Sequence, residues 1–250
     1  MDRWRYYDLT HARHDVMNPM TPARLDELGD ALRLEPAHRV LDVACGHAEL
    51  LLRWHARFGV TGVGLDASPF TIARAQRRVE ERAPGAGIEL VHERGEEFAP
   101  SERFDVACCV GASWIWGGHA GTLRALTGFV RPGGAVVTGE VYRKEPPPPA
   151  YLDYLRADEP ETPEVHDLAT CHRLALDQGL SLVWFAGSTD AEWDRYELLQ
   201  SAAVDEFART HPDDPDLEAL VTERRRHDAA YLAHGRRCLG WALWAFRVPR

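Results

Sequence analysis

Residues 40–49 read Val40-Leu41-Asp42-Val43-Ala44-Cys45-Gly46-His47-Ala48-Glu49. A short apolar run, Arg39–Val43, has the composition of a strand, and small residues follow it directly. Helical periodicity then starts at Ala48 and runs to Phe58, with Leu51, Leu52 and Trp54 as its apolar positions. The segment is therefore a strand, a tight turn and a helix. In an α/β sheet such a turn is where backbone approaches a ligand, because side chains there are too small to intervene.

Outward from this segment the pattern repeats. Val60–Leu65 is a second strand ended by Asp66, and Ser68-Pro69 opens a helix that runs to about Ala83 before Pro84-Gly85 breaks it. Ile88–Val91 and Phe104–Val110 read as strands three and four. A helix over 119–130 ends at Arg131-Pro132-Gly133-Gly134, and Ala135–Val141 is strand five. Alternating strands and helices with short turns predict a parallel sheet covered on both faces. After a proline run, Pro146–Pro149, and an acidic stretch over 150–163, a helix resumes at Leu168–Gln178 and a strand at Leu180–Ala186. Residues 190–236 are helical and charged, and Leu239–Val248 is a seventh strand. The expected fold class is α/β: a mostly parallel seven-stranded sheet with helices on both faces and a mainly helical cap.

The domain organisation follows. The core spans 38–143, continues over 165–187 and closes with 237–250. Three segments, 1–37, 144–164 and 188–236, fall outside it and are assigned to a cap, since long connections in a compact domain are more often lids than plain loops. The first twenty residues hold Trp4, Tyr6, Tyr7, His11 and His14 without a clean period. Thr21-Pro22 reads as an N-cap followed by proline in the first turn, with Leu25, Leu28 and Leu32 on one helical face.

Bulk properties exclude several classes. The formal net charge is −10 and Lys144 is the only lysine, which argues against clamping of nucleic acid phosphates. Five cysteines, an odd number without a CxxC pair, point to reduced thiols rather than a disulfide framework or a zinc site, and no metal is expected. No run reaches the ~18–20 apolar residues of a membrane span. The first residues lack the apolar stretch of a secretory signal, so the expected location is cytoplasmic, as a monomer or homodimer.

A dinucleotide enzyme would place G-x-G-x-x-G at this turn, and a P-loop would need G-x-x-x-x-G-K-[ST]; neither is present. Residues 40–49 instead resemble the first motif of class I S-adenosylmethionine-dependent methyltransferases, V-L-D-x-G-x-G-x-G. Ala44 and Ala48 replace the outer glycines, and Gly46 keeps the middle one. Asp66 at the second strand end, Phe104-Asp105-Val106 before an apolar run, and Arg131-Pro132-Gly133-Gly134 before strand five extend the similarity over 38–143. The resemblance implies a Rossmann-like fold and S-adenosylmethionine as cofactor. It implies a cofactor site made of Asp42, Ala44, Cys45, Gly46, Asp66, Ala67, Glu96, Glu97, Val110 and Gly111. Asp66 would accept from the ribose hydroxyls. Glu96 or Glu97 would meet the adenine where Arg94 stands in place of the family's acid, unless they belong to a solvated acidic turn. Val110 and Gly111 would line the methionine arm. The Asn/Asp-Pro-Pro-Tyr signature of base and amide methylation is absent, which favours a small-molecule acceptor.

Methyl transfer from a sulfonium is an in-line displacement with a good leaving group, so alignment and exclusion of water matter more than a fixed catalytic residue. His14, His47 and His119 are candidate bases or structural histidines. Glu140 and Tyr142, at the end of strand five, are candidates for acceptor contact. Trp114 and Trp116, after strand four, either hold a cationic or planar acceptor or belong to the core of the cap. The reading from another class is a non-catalytic S-adenosylmethionine-binding or interaction protein on the same fold.

Overall fold

The computed structural model describes residues 1–158 and 164–250. Part of the expected 144–164 insertion, residues 159–163, lies outside the described residues.

Strand β1 (Arg39–Val43) runs beside β2 (Thr61–Asp66) on one side and β4 (Phe104–Val110) on the other, all parallel. β3 (Ile88–His92) extends the sheet beyond β2, and β5 (Val130–Arg143) beyond β4. β7 (Leu239–Arg247) pairs antiparallel with β5 and with β6 (Ser181–Gly187). The order is β3-β2-β1-β4-β5-β7-β6, so the sheet reverses its winding between β1 and β4. A crevice opens outside the carboxyl ends at such a reversal.

Alternation along the strands builds a core on each face. Leu41 and Val43, Ala107 and Cys109, and Val136 point to one side. They meet Leu123 and Leu126 of α5 (His119–Phe129) with Cys171 and Ala175 of α7 (Leu168–Leu176). Val40, Val106, Cys108 and Val137 point to the other. There they meet Leu25, Leu28 and Leu32 of α2 (Pro22–Leu32) with Leu51 and Trp54 of α3 (Glu49–Phe58). Cys108 and Cys109 are thus buried on opposite faces, and all five cysteines are buried free thiols.

Local chemistry starts the helices. Ser68 accepts from the Thr71 N–H at 3.2 Å, with Pro69 next in line, to open α4 (Pro69–Arg82). Thr189 and Glu192 form a reciprocal capping box for α8 (Asp190–Thr210). Thr21 stands at the cap of α2, but its hydroxyl makes no capping bond and lies 3.4 Å from Glu192 Oε1.

The outer segments differ from their sequence reading. Residues Arg3–Thr10 form a helix, α1, capped by Asp2, which accepts from the Arg5 N–H at 3.0 Å. Pro149–Asp158 is a helix, α6, where a loop is expected: Pro149 ends the proline run as the first helical residue, a position that needs no N–H. α8 packs on α9 (Leu217–Ala230), which leads through a π-helical turn, Tyr231–Gly235, into β7. α1 lies against α8 and α4, across the crevice.

Candidate active site

The turn after β1 is held in an unusual backbone state. Ala44, Gly46 and Ala48 have φ of 56°, 56° and 58°, the left-handed region. These are the three positions at which the motif ordinarily carries glycine, so the two alanines retain the glycine conformation at a steric cost. Cys45 N–H donates to the Leu65 carbonyl at 3.0 Å, which ties the turn to β2.

Two carboxyl groups meet at this end of the sheet. Asp66, at the end of β2, accepts from the Gly46 N–H at 3.1 Å and the Ser68 N–H at 2.9 Å. Burial raises its pKa, and the two N–H groups oppose that shift. Asp42, in β1, is 3% exposed. Burial first, and the neighbouring Asp66 second, push its carboxyl up to about 8.

A cleft of about 960 Å³, open to solvent on one side, extends from these groups. Its floor is the turn Ala44–His47 with Asp42 and Asp66, and its near wall is Val110, Gly111, Ala112 and Trp114 after β4. The N-terminal segment forms the roof. Arg3, Trp4 and Tyr7 reach in from α1, His11 from its C-cap, and residues 15–18 cross the turn. Asn18 Nδ2 donates to the Val110 carbonyl at 3.2 Å, and the Met17 sulfur stands 2.9 Å from where a Cβ on Gly46 would be. Tyr196 of α8 closes the far side.

Histidines join roof, turn and cap. His47 Nδ1 donates to the His14 carbonyl at 2.9 Å, and His14 Nε2 donates to the Tyr196 carbonyl at 3.0 Å. His11 lies 3.0 Å from the Tyr7 carbonyl through Nδ1, so its Nε2 accepts from the Tyr196 hydroxyl at 2.8 Å. Burial pushes His11 down to about 3 and His47 down to about 4, and lowers His14 as well. All three are neutral at pH 7. His47 lines the cleft, and its Nε2 has no hydrogen-bond partner.

Several sequence candidates stand elsewhere. Glu96 and Glu97 are exposed on the loop after β3 and pair with Arg94, which neutralises the acidic turn in place. Ala67 is partly buried beside Asp66, and its carbonyl meets His92 at 3.0 Å. Trp116 packs into the core, its ring 6.4 Å from Phe129, because the 3-10 turn Ser113–Trp116 points alternate tryptophans to opposite sides. His119 and Glu140 are buried together beneath the wall, 3.7 Å apart, where Glu140 accepts from the Ser113 hydroxyl at 2.8 Å. Tyr142 also packs against the core. The sequence reading overlooked Trp4, Asn18 and Tyr196, which line the cleft. A signal for the first existed: Trp4, Tyr7 and His11 are spaced i, i+3, i+7, one face of a helix. Tyr6 lies off that face, in the electrostatic field of Arg224 and Glu223 of α9.

A family model for the methyltransferase domain matches residues 40–134. The crystal structure of an S-adenosylmethionine-dependent methyltransferase from Geobacter sulfurreducens, in complex with S-adenosyl-L-homocysteine, superposes with a TM-score of 0.89, at 32% identity and 98% of each chain. The chain belongs to the class I S-adenosylmethionine-dependent methyltransferases. A second methyltransferase, from Thiobacillus denitrificans and also in complex with S-adenosyl-L-homocysteine, gives a TM-score of 0.88 at 30% identity over the whole of both chains. The Escherichia coli protein YjhP is 31% identical over 98% of either sequence. The protein is thus a methyltransferase whose cofactor is S-adenosylmethionine. The lining suits that cofactor: a turn of small residues in left-handed backbone allows close approach, and two carboxyl groups stand beside it. Among the described residues no group of His, Cys, Asp and Glu could hold a metal, and no helix is long and apolar enough to cross a membrane.

Proposed function

We propose that this methyltransferase acts on a small molecule by direct in-line transfer inside the roofed cleft. The observation that carries this reading is the roof itself: α1, residues 15–18 and Tyr196 cover the cofactor turn and leave a cleft open to solvent on one side only. A polymeric acceptor would need an open groove at this place.

When bound, the cofactor supplies a methyl group already activated on a sulfonium. The chain's residues bind, align and exclude water. Asp66 accepts from the ribose hydroxyls, exchanging its present backbone partners in part. Asp42 lies deeper and faces the ammonium of the methionine arm, while Val110 and Gly111 give that arm a flat wall. Ala44, Cys45 and Gly46 provide backbone for close approach. Segment 1–37, with Tyr196 of segment 188–236, serves to close the cleft and select the acceptor.

No fixed base is assigned. His11 and His47 are held neutral far below pH 7 and are structural partners of the roof, while His119 and Glu140 sit beneath the wall.

Calorimetric titration with S-adenosylmethionine and S-adenosylhomocysteine tests the site. Both should bind, and Asp66→Ala should weaken binding by more than tenfold, since hydrogen bonds to a charged group contribute about 1.5–3 kcal/mol. An unchanged affinity in the variant rejects the ribose role.

A further inference from the structure

Three aromatic rings surround one point at the mouth of the cleft. Trp4 and Tyr7 come from α1, and Trp114 from the turn after β4. The point is occupied by a cation of the protein's own: the Arg3 guanidinium carbon lies 4.9 Å from the Trp114 ring centre, 5.6 Å from Tyr7 and 5.8 Å from Trp4. Each distance is within the ~6 Å at which a ring face attracts a positive charge. Trp4 and Tyr7 are neighbours of Arg3 on α1, and the contact with Trp114, from a separate element, is the one that local chain geometry does not dictate.

The charges of the cleft favour the same sign of guest. Its lining carries Asp15, Asp42, Glu49 and Asp66, and Arg3 is the only arginine or lysine among the lining residues described. Glu49 is satisfied by Arg78 and Arg82, and Asp15 pairs with Arg78 at 3.3 Å. Asp42 and Asp66 are the carboxyl groups assigned above to the cofactor, so the acceptor's own partners are the ring faces. An anionic acceptor would find no second cationic side chain beside Arg3 among the described lining residues; an amine would meet the ring faces of Trp4, Tyr7 and Trp114.

We propose that Trp4, Tyr7 and Trp114 form a cation cage for an amine methyl acceptor, and that Arg3 is the internal plug that the acceptor displaces. This rests on the small-molecule reading above and narrows it to nitrogen. In the transfer, the lone pair of the neutral amine forms the new C–N bond while the C–S bond breaks and its electron pair stays on sulfur. Positive charge passes from sulfur to nitrogen. An acceptor that enters the cage as its ammonium first loses one proton to solvent, which frees the lone pair; a tertiary amine then yields a quaternary ammonium, and a primary or secondary amine yields the protonated amine of the next degree. A cage of ring faces stabilises that charge as it develops, without supplying a base.

The test uses the full chain saturated with S-adenosylhomocysteine. Choline and its neutral carbon isostere dimethylbutanol are titrated by calorimetry and by tryptophan fluorescence. Choline should bind at least about tenfold more tightly than the isostere. Trp114→Ala should lose most of that preference and Trp114→Phe should keep much of it, since a benzene face still attracts a cation. Arg3→Ala should tighten choline binding several-fold by removing the competing cation. Equal binding of choline and isostere, or loss of choline binding in Arg3→Ala, overturns the cage. Loss in Arg3→Ala together with gain of acetate binding by the wild-type chain would make Arg3 an anion hook instead. S-adenosylhomocysteine binding is read in the same samples. Its failure would sink the cofactor site assignment, whereas its success without a choline preference sinks the cage alone.

Discussion

At the residue scale, the turn after β1 shows what two alanines cost. Both Ala44 and Ala48 are left-handed, a conformation about 1–2 kcal/mol worse for alanine than for glycine. Against this, glycine loses about 0.5–1 kcal/mol more entropy on folding, and a buried methyl contributes about 0.8 kcal/mol. The balance differs at the two sites. Ala48 is fully buried against Leu52 and Ala75, while Ala44 is only partly buried. Ala44→Gly should therefore raise stability by about 0.5–1 kcal/mol, and Ala48→Gly should be near neutral. Urea unfolding of the two variants checks this; equal shifts would show that burial does not separate them.

At the element scale, the α8–α9 pair is held by a buried charge. Arg224 is 2% exposed, and donates to Gln200 at 2.7 Å, Glu197 at 2.9 Å and Asp228 at 3.0 Å. Glu197 is also buried, with further contacts to His227 at 3.2 Å and to the Trp193 indole N–H at 3.1 Å. Its pKa is lowered overall, because these partners outweigh the burial that would raise it. Arg224→Met leaves Glu197 charged and underpaired, and should cost about 3–5 kcal/mol. Adding Glu197→Leu should recover much of the loss, because two apolar side chains replace a pair whose desolvation was costly. The check is the unfolding free energy of the single and double variants. A double variant as unstable as the single one would show that the pair contributes through packing alone.

At the scale of the whole molecule, the roof is fixed from both sides. Arg5 pairs with Asp214 and Asp216 beyond α8, and Asp8 pairs with Arg74 of α4 at 2.9 Å. Between these ion pairs, His11, His14 and His47 bridge roof, cap and turn as neutral rings. The folded pKa of each lies below the unfolded value of 6.5. Above 6.5 neither state binds the proton, so the histidines contribute nothing to the pH dependence there. Below 6.5 the unfolded chain takes up protons that the folded one refuses, and stability falls until the folded pKa is reached. For His47 the window is pH 6.5 to about 4, with a slope of about 1.4 kcal/mol per pH unit. His47→Asn keeps a donor for the His14 carbonyl and removes the titration. Its unfolding free energy should depend on pH less steeply than the wild type by that amount between pH 6 and 5. Parallel curves would mean that His47 is charged in the folded protein.

Much of the fold was legible in the sequence because strand and helix periodicities are local. Residues 40–49, the run to Asp66 and the apolar stretch at 104–110 reveal parallel strands, and a turn of small residues between Val43 and Glu49 leaves room for little but a ligand. The same locality explains the placement of Asp42, Gly46, Asp66, Val110 and Gly111 around one cleft, since adjacent parallel strands end at one edge. What lies far apart in the chain was not legible. Trp4 and Tyr7 reach Trp114, and His11 reaches Tyr196, only because α1 packs across the sheet edge onto α8. Trp114 and Trp116 look alike in sequence, and the direction of a single 3-10 turn separates cleft from core. Ala44 and Ala48 mark the same division. The sequence alone determines that small residues sit in the turn after β1; the tertiary structure decides that they take the left-handed backbone of the missing glycines, because the ties from Cys45 to Leu65 and from Gly46 to Asp66 belong to the packed sheet.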